Sequence, residues 1–255
     1  MRFLRLLIVA VSLVPALASA EQPFTVLITG SNKGIGLELT RIYAANGWKV
    51  IATCRNPQDA AELQALAKEN PRVSLERLDV TDHGRIDELA KQLKATPIDH
   101  LVNNAGITAG MEKEAFGKFD FEQYDDILAV NTIAPLKMAE AFIEHVAASR
   151  KKTIVNISSS QGSIESVKRP GTYFYRASKA ALNMEMRNLA LDLAPRGIIV
   201  GLVGPGLTQT NLTRNLKIPM KKPDEAAKLV FAQIEQLTPA KSGVLVNYDG
   251  AIIPW

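Results

Sequence analysis

Short, apolar, β-branched runs that keep giving way to helical stretches of ten or more residues leave this chain few folds to adopt. Residues 24–29 (FTVLIT), 48–53, 73–78, 98–102, 153–157, 198–203 and 244–247 read as strands. Between them, residues 34–46, 57–69, 82–95, 121–149, 178–194 and 223–237 read as helices, the long 121–149 stretch bent near Pro135. Strands separated by helices pair in parallel through crossovers, and right-handed crossovers place helices on both faces of the sheet. The expectation is a single α/β domain over residues 21–255, a doubly wound parallel sheet of about seven strands.

The first twenty residues are built differently. Arg2 and Arg5 precede an apolar run from Leu6 to Leu17, broken by Ser12 and Pro15, and Ala18-Ser19-Ala20 ends in a small-residue cleavage pattern before Glu21. This is the plan of a secretory signal peptide, with an uncleaved N-terminal anchor as the alternative; the run is too short to span a bilayer comfortably. It points to a periplasmic or exported protein. A nicotinamide cofactor, which the motifs below call for, is made and recycled in the cytoplasm. The sequence leaves the compartment open.

Charge and composition exclude several classes. The formal net charge is +4, and two of the positive charges, Arg2 and Arg5, lie in the leader. The basic clusters Lys151-Lys152 and Lys221-Lys222 carry no interleaved aromatic residues, so no nucleic acid is expected as a partner. The one cysteine, Cys54, allows no internal disulfide. His83, His100 and His145 are scattered without ligand spacing, so no metal is expected.

The chemistry begins at the first strand–helix junction. Thr29-Gly30-Ser-Asn-Lys33-Gly34-Ile-Gly36 spaces its glycines as a dinucleotide turn does. Gly30 turns the chain off the strand, Gly34 admits a pyrophosphate, and Gly36 lets helix and strand pack closely. The helix N-terminus then offers free N–H groups to the phosphates. A NAD site carries an acid about 20 residues past this turn. Here the second strand runs into Thr53-Cys54-Arg55, and the first acid beyond it is Asp59. Arg55, with Lys33 in the turn, suits a ribose 2′-phosphate and hence NADP(H). Asp79, past the third strand, is placed to accept from the adenine amino group or to serve a helix cap with Thr81.

Four further stretches lie at strand exits or inside helices. Tyr175 and Lys179 are four apart and share a helix face, where an ammonium lowers the pKa of a phenol that then works as a general acid or base. Tyr173 has Ala177 at that spacing and is set aside. Asn156-Ile-Ser158-Ser159-Ser160-Gln-Gly162 puts three hydroxyls at a strand exit, any of which can bond a substrate oxygen. Asn103-Asn-Ala105-Gly106 provides small residues for close approach of a cofactor. Asn131 is a poor helix former among Ala, Val, Ile and Leu, and its side chain is expected to hold a water linking Lys179 to solvent. In Pro205-Gly206-Leu-Thr208-Gln-Thr210 the chain turns beneath the nicotinamide, where Thr208 and Thr210 can reach its amide or the diphosphate.

In order and spacing, TGSNKGIG (29–36), LDV (78–80), NNAG (103–106), VN (130–131), NISSSQG (156–162), YRASK (175–179) and VGPG with Thr210 resemble the short-chain dehydrogenase/reductase family, over nearly all of residues 24–250. YRASKAALNM and the ending YDGAIIPW are similar to its C-factor-like and sniffer-like carbonyl reductases. The resemblance implies a Rossmann-type fold and a catalytic set of Asn131, Ser159, Tyr175 and Lys179. It fits Ser159 to the family pattern Ser-x-x-Gly, although the 16-residue step to Tyr175 carries three extra residues within Ile164–Thr172. It also implies a cofactor site of Gly30, Ser31, Asn32, Lys33, Gly34, Ile35, Gly36, Arg55, Asp79, Val80, Asn103, Ala105, Gly106, Tyr175, Lys179, Pro205, Gly206, Thr208 and Thr210. The implied activity is hydride transfer between NADP(H) and a small carbonyl or alcohol substrate, in a homodimer or homotetramer. The alternative is a dinucleotide-binding signalling or sensor protein with little turnover. Residues 207–222 are expected to form a short flap over the pocket.

Overall fold

The computed structural model describes residues 22–110, 113–114 and 116–255. The expected leader at 1–20 lies outside the described residues. The chain alternates as its pattern predicts: β1 (Thr25–Thr29), α1 (Gly34–Ala45), β2 (Lys49–Cys54), α2 (Ala61–Glu69), β3 (Val73–Arg77), α3 (His83–Gln92) and β4 (His100–Asn103) form the first half. The second half is α4 (Phe121–Leu128), a π-helical turn (Ala129–Ile133), α5 (Ala134–Ala147), β5 (Thr153–Ile157), α6 (Tyr173–Leu193), β6 (Ile199–Gly204), α7 (Pro223–Glu235) and β7 (Leu245–Asn247).

All seven strands are parallel, in the order β3-β2-β1-β4-β5-β6-β7. Alternate strand residues feed two cores. Leu27, Leu101, Ile154 and Leu202 face a layer that includes Phe142, Met138, Met186 and Leu182 of α5 and α6. Val26, Ile28, Val102, Val155 and Val203 face Leu37, Leu39, Tyr43 and Val230 of α1 and α7. Burial on both faces explains why the strands read as continuous apolar runs rather than alternating ones. The order reverses between β1 and β4, and the crevice beyond their carboxyl ends is where such folds bind ligands.

Three expected elements came out differently. The stretch expected as one helix over 57–69 is a 3₁₀ turn (Pro57–Asp59) followed by α2. The helix expected at 178–194 begins five residues earlier, at Tyr173, so Tyr175 and Lys179 both lie on α6. The stretch expected as one bent helix over 121–149 is α4, the π-helical turn and α5. Proline at 135, in the first turn of α5, supplies no N–H to the preceding turn, and the ladder widens there. At the amino end of the strands, opposite the crevice, His100 is buried, bonded to the Tyr43 hydroxyl (2.8 Å), and burial pulls its pKa down to about 3; it is a packing residue.

Candidate active site

The turn after β1 is shaped by close approach. Gly30 takes φ +69°, and a Cβ on Gly36 would run into the Gly30 carbonyl oxygen and the Asn104 amide. Asn104 donates to the carbonyls of Thr29 (2.9 Å) and Gly30 (3.1 Å), while the Thr29 hydroxyl accepts from the N–H groups of Asn104 and Ala105 (3.0 Å each). Thr29 and Asn104 thus bolt the two sides of the crevice together. Sequence reading passed over both, because a threonine ending a strand and the second of two asparagines give no signal until β1 and β4 are adjacent.

The residues present fit a phosphorylated dinucleotide. No side chain caps α1 and no acid occupies its first turn, so its N–H groups remain open to an anion. Arg55 at the end of β2 and Lys33 in the turn are exposed and have no ion-pair partner among the described residues. A bond from the Ser31 N–H to the Thr53 carbonyl (2.9 Å) draws the end of β2 against the turn. Thr210 lies over the start of α1, its methyl 3.4 Å from where a Gly34 Cβ would stand.

The side chains of four expected cofactor-site residues are engaged within the protein, which leaves their main chains to line the crevice. Ser31 is fully buried, and its hydroxyl donates inward to the Ile28 carbonyl (2.9 Å), so it shapes the turn. Asn103 is buried and donates to Asn156 across the strands (2.9 Å) and to the Pro135 carbonyl (3.3 Å). Thr208 is buried, with its hydroxyl turned back to the Gly206 carbonyl (3.2 Å). Val80 is a core residue. Asp79 accepts from the N–H and hydroxyl of Thr81 (3.0 and 2.8 Å), while the cap of α3 is Asp82. Asn32, Ile35, Ala105, Gly106, Pro205 and Gly206 remain half-buried at the crevice. The expected flap is tied at its base by pairing between Thr208 and Lys221.

The chemical groups gather at the carboxyl end of β5. Among the three serines, Ser158 is buried and donates to Asn183 (2.6 Å), and Ser160 is exposed. Ser159 is half-buried; its hydroxyl accepts from the Gln161 N–H (3.1 Å) and lowers the pKa of the Tyr175 phenol beside it. The segment fits so closely on α6 that a Cβ on Gly162 would stand 2.8 Å from the Lys179 carbonyl oxygen. Lys179 is 5 % exposed, its ammonium 5.9 Å from the Tyr175 ring centroid and donating to the Ile157 carbonyl (2.9 Å).

The electrostatics differ from the expected lowering of the phenol by the lysine. Desolvation dominates both groups: it pushes Tyr175 up to about 12, against the lowering by Ser159 and with help from the Glu114 charge. Burial pulls Lys179 down to about 8. Asn131 also departs from expectation. Its carbonyl oxygen accepts from the Ile107 N–H (2.9 Å), and its amide donates to the Ile107 carbonyl (2.9 Å) and the Ser178 hydroxyl (3.0 Å). That side chain is a brace between the loop after β4 and α6, with both of its N–H groups engaged.

A family model described as short chain dehydrogenase matches residues 24–221. A 1-hydroxy-2-glutathionyl-2-methyl-3-butene dehydrogenase of Rhodococcus sp. is 32 % identical over 236 residues, covering 91 % of this chain and 99 % of that protein. The carbonyl reductase Sniffer of D. melanogaster superposes with a TM-score of 0.84 at 28 % identity, over 92 % of this chain and 100 % of that one. An NADPH-bound carbonyl reductase from chicken fatty liver does so at 0.83 and 31 %, with the same coverage of 92 % and 100 %.

Proposed function

The chain belongs to the short-chain dehydrogenase family and is an NADP(H)-dependent oxidoreductase, and from that premise we propose that it reduces small carbonyl compounds with Tyr175 as proton donor. The observation that carries this reading is the Tyr175 ring 5.9 Å from the ammonium of buried Lys179, at the carboxyl end of β5 where Ser159 also lies. When bound, the cofactor supplies the hydride. The protein's own groups do the rest. Ser159 and Tyr175 present two hydroxyl donors to a substrate oxygen as negative charge gathers on it. Tyr175 then gives up its proton. Lys179 donates to Ile157 and keeps further N–H groups for a cofactor ribose hydroxyl. At a pKa of about 8 it is mostly protonated at neutral pH and favours the phenolate. Arg55 and Lys33 meet the 2′-phosphate.

The water assigned to the Asn131 side chain moves to its main chain in this proposal. In an α-helix the Asn131 carbonyl would accept from residue 135, and that residue is a proline without an N–H. We assign to this carbonyl, within the π-helical turn, the water that returns the proton by way of Lys179.

Self-association as a homodimer or homotetramer belongs to the same proposal, supported by exposed apolar side chains around α5 and on α6, among them Ile133, Leu136, Met184 and Leu191.

Replacing Tyr175 by Phe removes the proton donor and leaves the crevice intact. NADPH titration by fluorescence is expected to give an unchanged affinity, while kcat for aldehyde or ketone reduction falls by about 100-fold or more. Near-native turnover in that variant would end the assignment.

A further inference from the structure

We infer that Glu114 is a positioning residue of the active site: a carboxylate from the loop between β4 and α4 that caps the helix carrying Tyr175 and Lys179 and holds the phenol in place. The inference rests on the reading of Tyr175 as proton donor.

α6 starts without a cap of its own. Thr172, the residue before it, sits at φ +48° and makes no capping bond; its hydroxyl donates to Gln161 instead (2.8 Å). The first turn of a helix leaves N–H groups without partners. Here Glu114, 61 residues earlier, accepts the N–H of Tyr175 itself through one oxygen (3.1 Å). Its other oxygen accepts from the Thr108 hydroxyl (3.1 Å).

Glu114 is 0 % exposed and has no cationic partner among the described residues. A buried carboxylate without a counter-ion is costly, and the compensation on view is the positive end of a 21-residue helix. The neighbouring Lys113 turns the other way and pairs with Asp120, the cap of α4 (3.5 Å), so the loop is pinned on both sides. Ile107, one residue before Thr108, has its N–H and carbonyl held by Asn131. The chain of contacts Asn131–Ile107–Thr108–Glu114–Tyr175 thus closes a ring around the chemical groups. A solvent-facing loop has no need of a buried acid aimed at a backbone N–H.

The charge acts as well as the geometry. The groups that bear on the phenol are Ser159 from the loop after β5, Lys179 on its own helix, and Glu114, whose charge raises the phenol. In alcohol oxidation the phenolate is the working form, so the rising limb of kcat/KM against pH, measured with NADP+, reports this titration. Glu114→Gln keeps an acceptor for the Tyr175 N–H and a group for Thr108, and removes only the charge. Its rising limb is expected at lower pH with plateau kcat close to native. Glu114→Ala removes the cap, and plateau kcat is expected to fall by about ten-fold with NADPH affinity unchanged.

If Glu114→Gln folds poorly, Thr108→Val, which leaves the charge with one donor fewer, is expected to move the limb upward. An unmoved limb in Glu114→Gln together with native kcat in Glu114→Ala overturns the inference, and so does an unmoved limb in Thr108→Val. Activity surviving in Tyr175→Phe overturns the reading beneath it, and the two failures are told apart by that variant alone.

Discussion

At the scale of single residues, function and stability pull against each other at Lys179. Its pKa in the folded protein is about 8, against 10.5 for an ordinary lysine, because burial disfavours the ammonium. Below pH 8 both folded and unfolded chains carry the proton, and the folded one bears the full cost of a buried cation. Between pH 8 and 10.5 the unfolded chain binds more protons than the folded one, so that cost is relieved as pH rises. Lys179→Met is therefore expected to raise Tm at pH 7 while abolishing turnover, and its advantage should shrink as pH climbs through that window. Thermal melts of the two proteins at pH 7 and pH 10 check this; a variant less stable than native at pH 7 would contradict it. Lys179, Tyr175 and Asn131 were legible in the sequence because each is the wrong residue type for a helix face otherwise built to be apolar, or has a partner at a meaningful spacing. Glu114 was not: in Lys-Glu-Ala-Phe-Gly-Lys it reads as a solvated loop acid, and its partners Thr108 and Tyr175 are set by the tertiary fold. Residue chemistry alone left Ser158, Ser159 and Ser160 equivalent, and only the resemblance singled out Ser159, because the turn after β5 that buries Ser158 and exposes Ser160 is set by packing on α6.

Among the elements, strands and the glycine turn were read to within a residue or two, because burial on both faces leaves an unbroken apolar signature that needs no partner to recognise. Helix boundaries fared worse where the cap comes from elsewhere. The start of α6 at Tyr173 carries no capping side chain of its own, so nothing local announces it. The π-helical turn was visible only as a bend, from Pro135, and its purpose depends on Ile107 and Ser178 lying opposite. That turn ties three elements together through one amide. Asn131→Ala would strip partners from both backbone groups of half-buried Ile107, and water can replace only part of the loss. A destabilisation of about 1–3 kcal/mol is expected from urea titration. An unchanged midpoint would mean that the loop after β4 is held by other contacts.

For the molecule as a whole, the two core layers consume nearly every apolar side chain of the strands, and the large apolar residues left in water are concentrated away from the sheet. Met184 (66 % exposed) and Leu191 (61 %) are seven residues apart on α6, two turns along one face, with Ile133 and Leu136 exposed around the start of α5. The proposed self-association would cover this stripe with a second copy and would stabilise the helix whose inner face carries Tyr175 and Lys179. The candidate catalytic groups lie together within one chain, so assembly and chemistry can be tested separately. Sedimentation equilibrium at micromolar protein is expected to show a dimer or tetramer for the native chain and a monomer for Met184→Glu/Leu191→Glu. The monomer should keep its NADPH affinity and melt at lower temperature, since the stripe is then solvated and α6 loses its outer support. A native chain that sediments as a monomer would refute the assembly while leaving the proton relay untouched, because no group in that relay reaches the outer face.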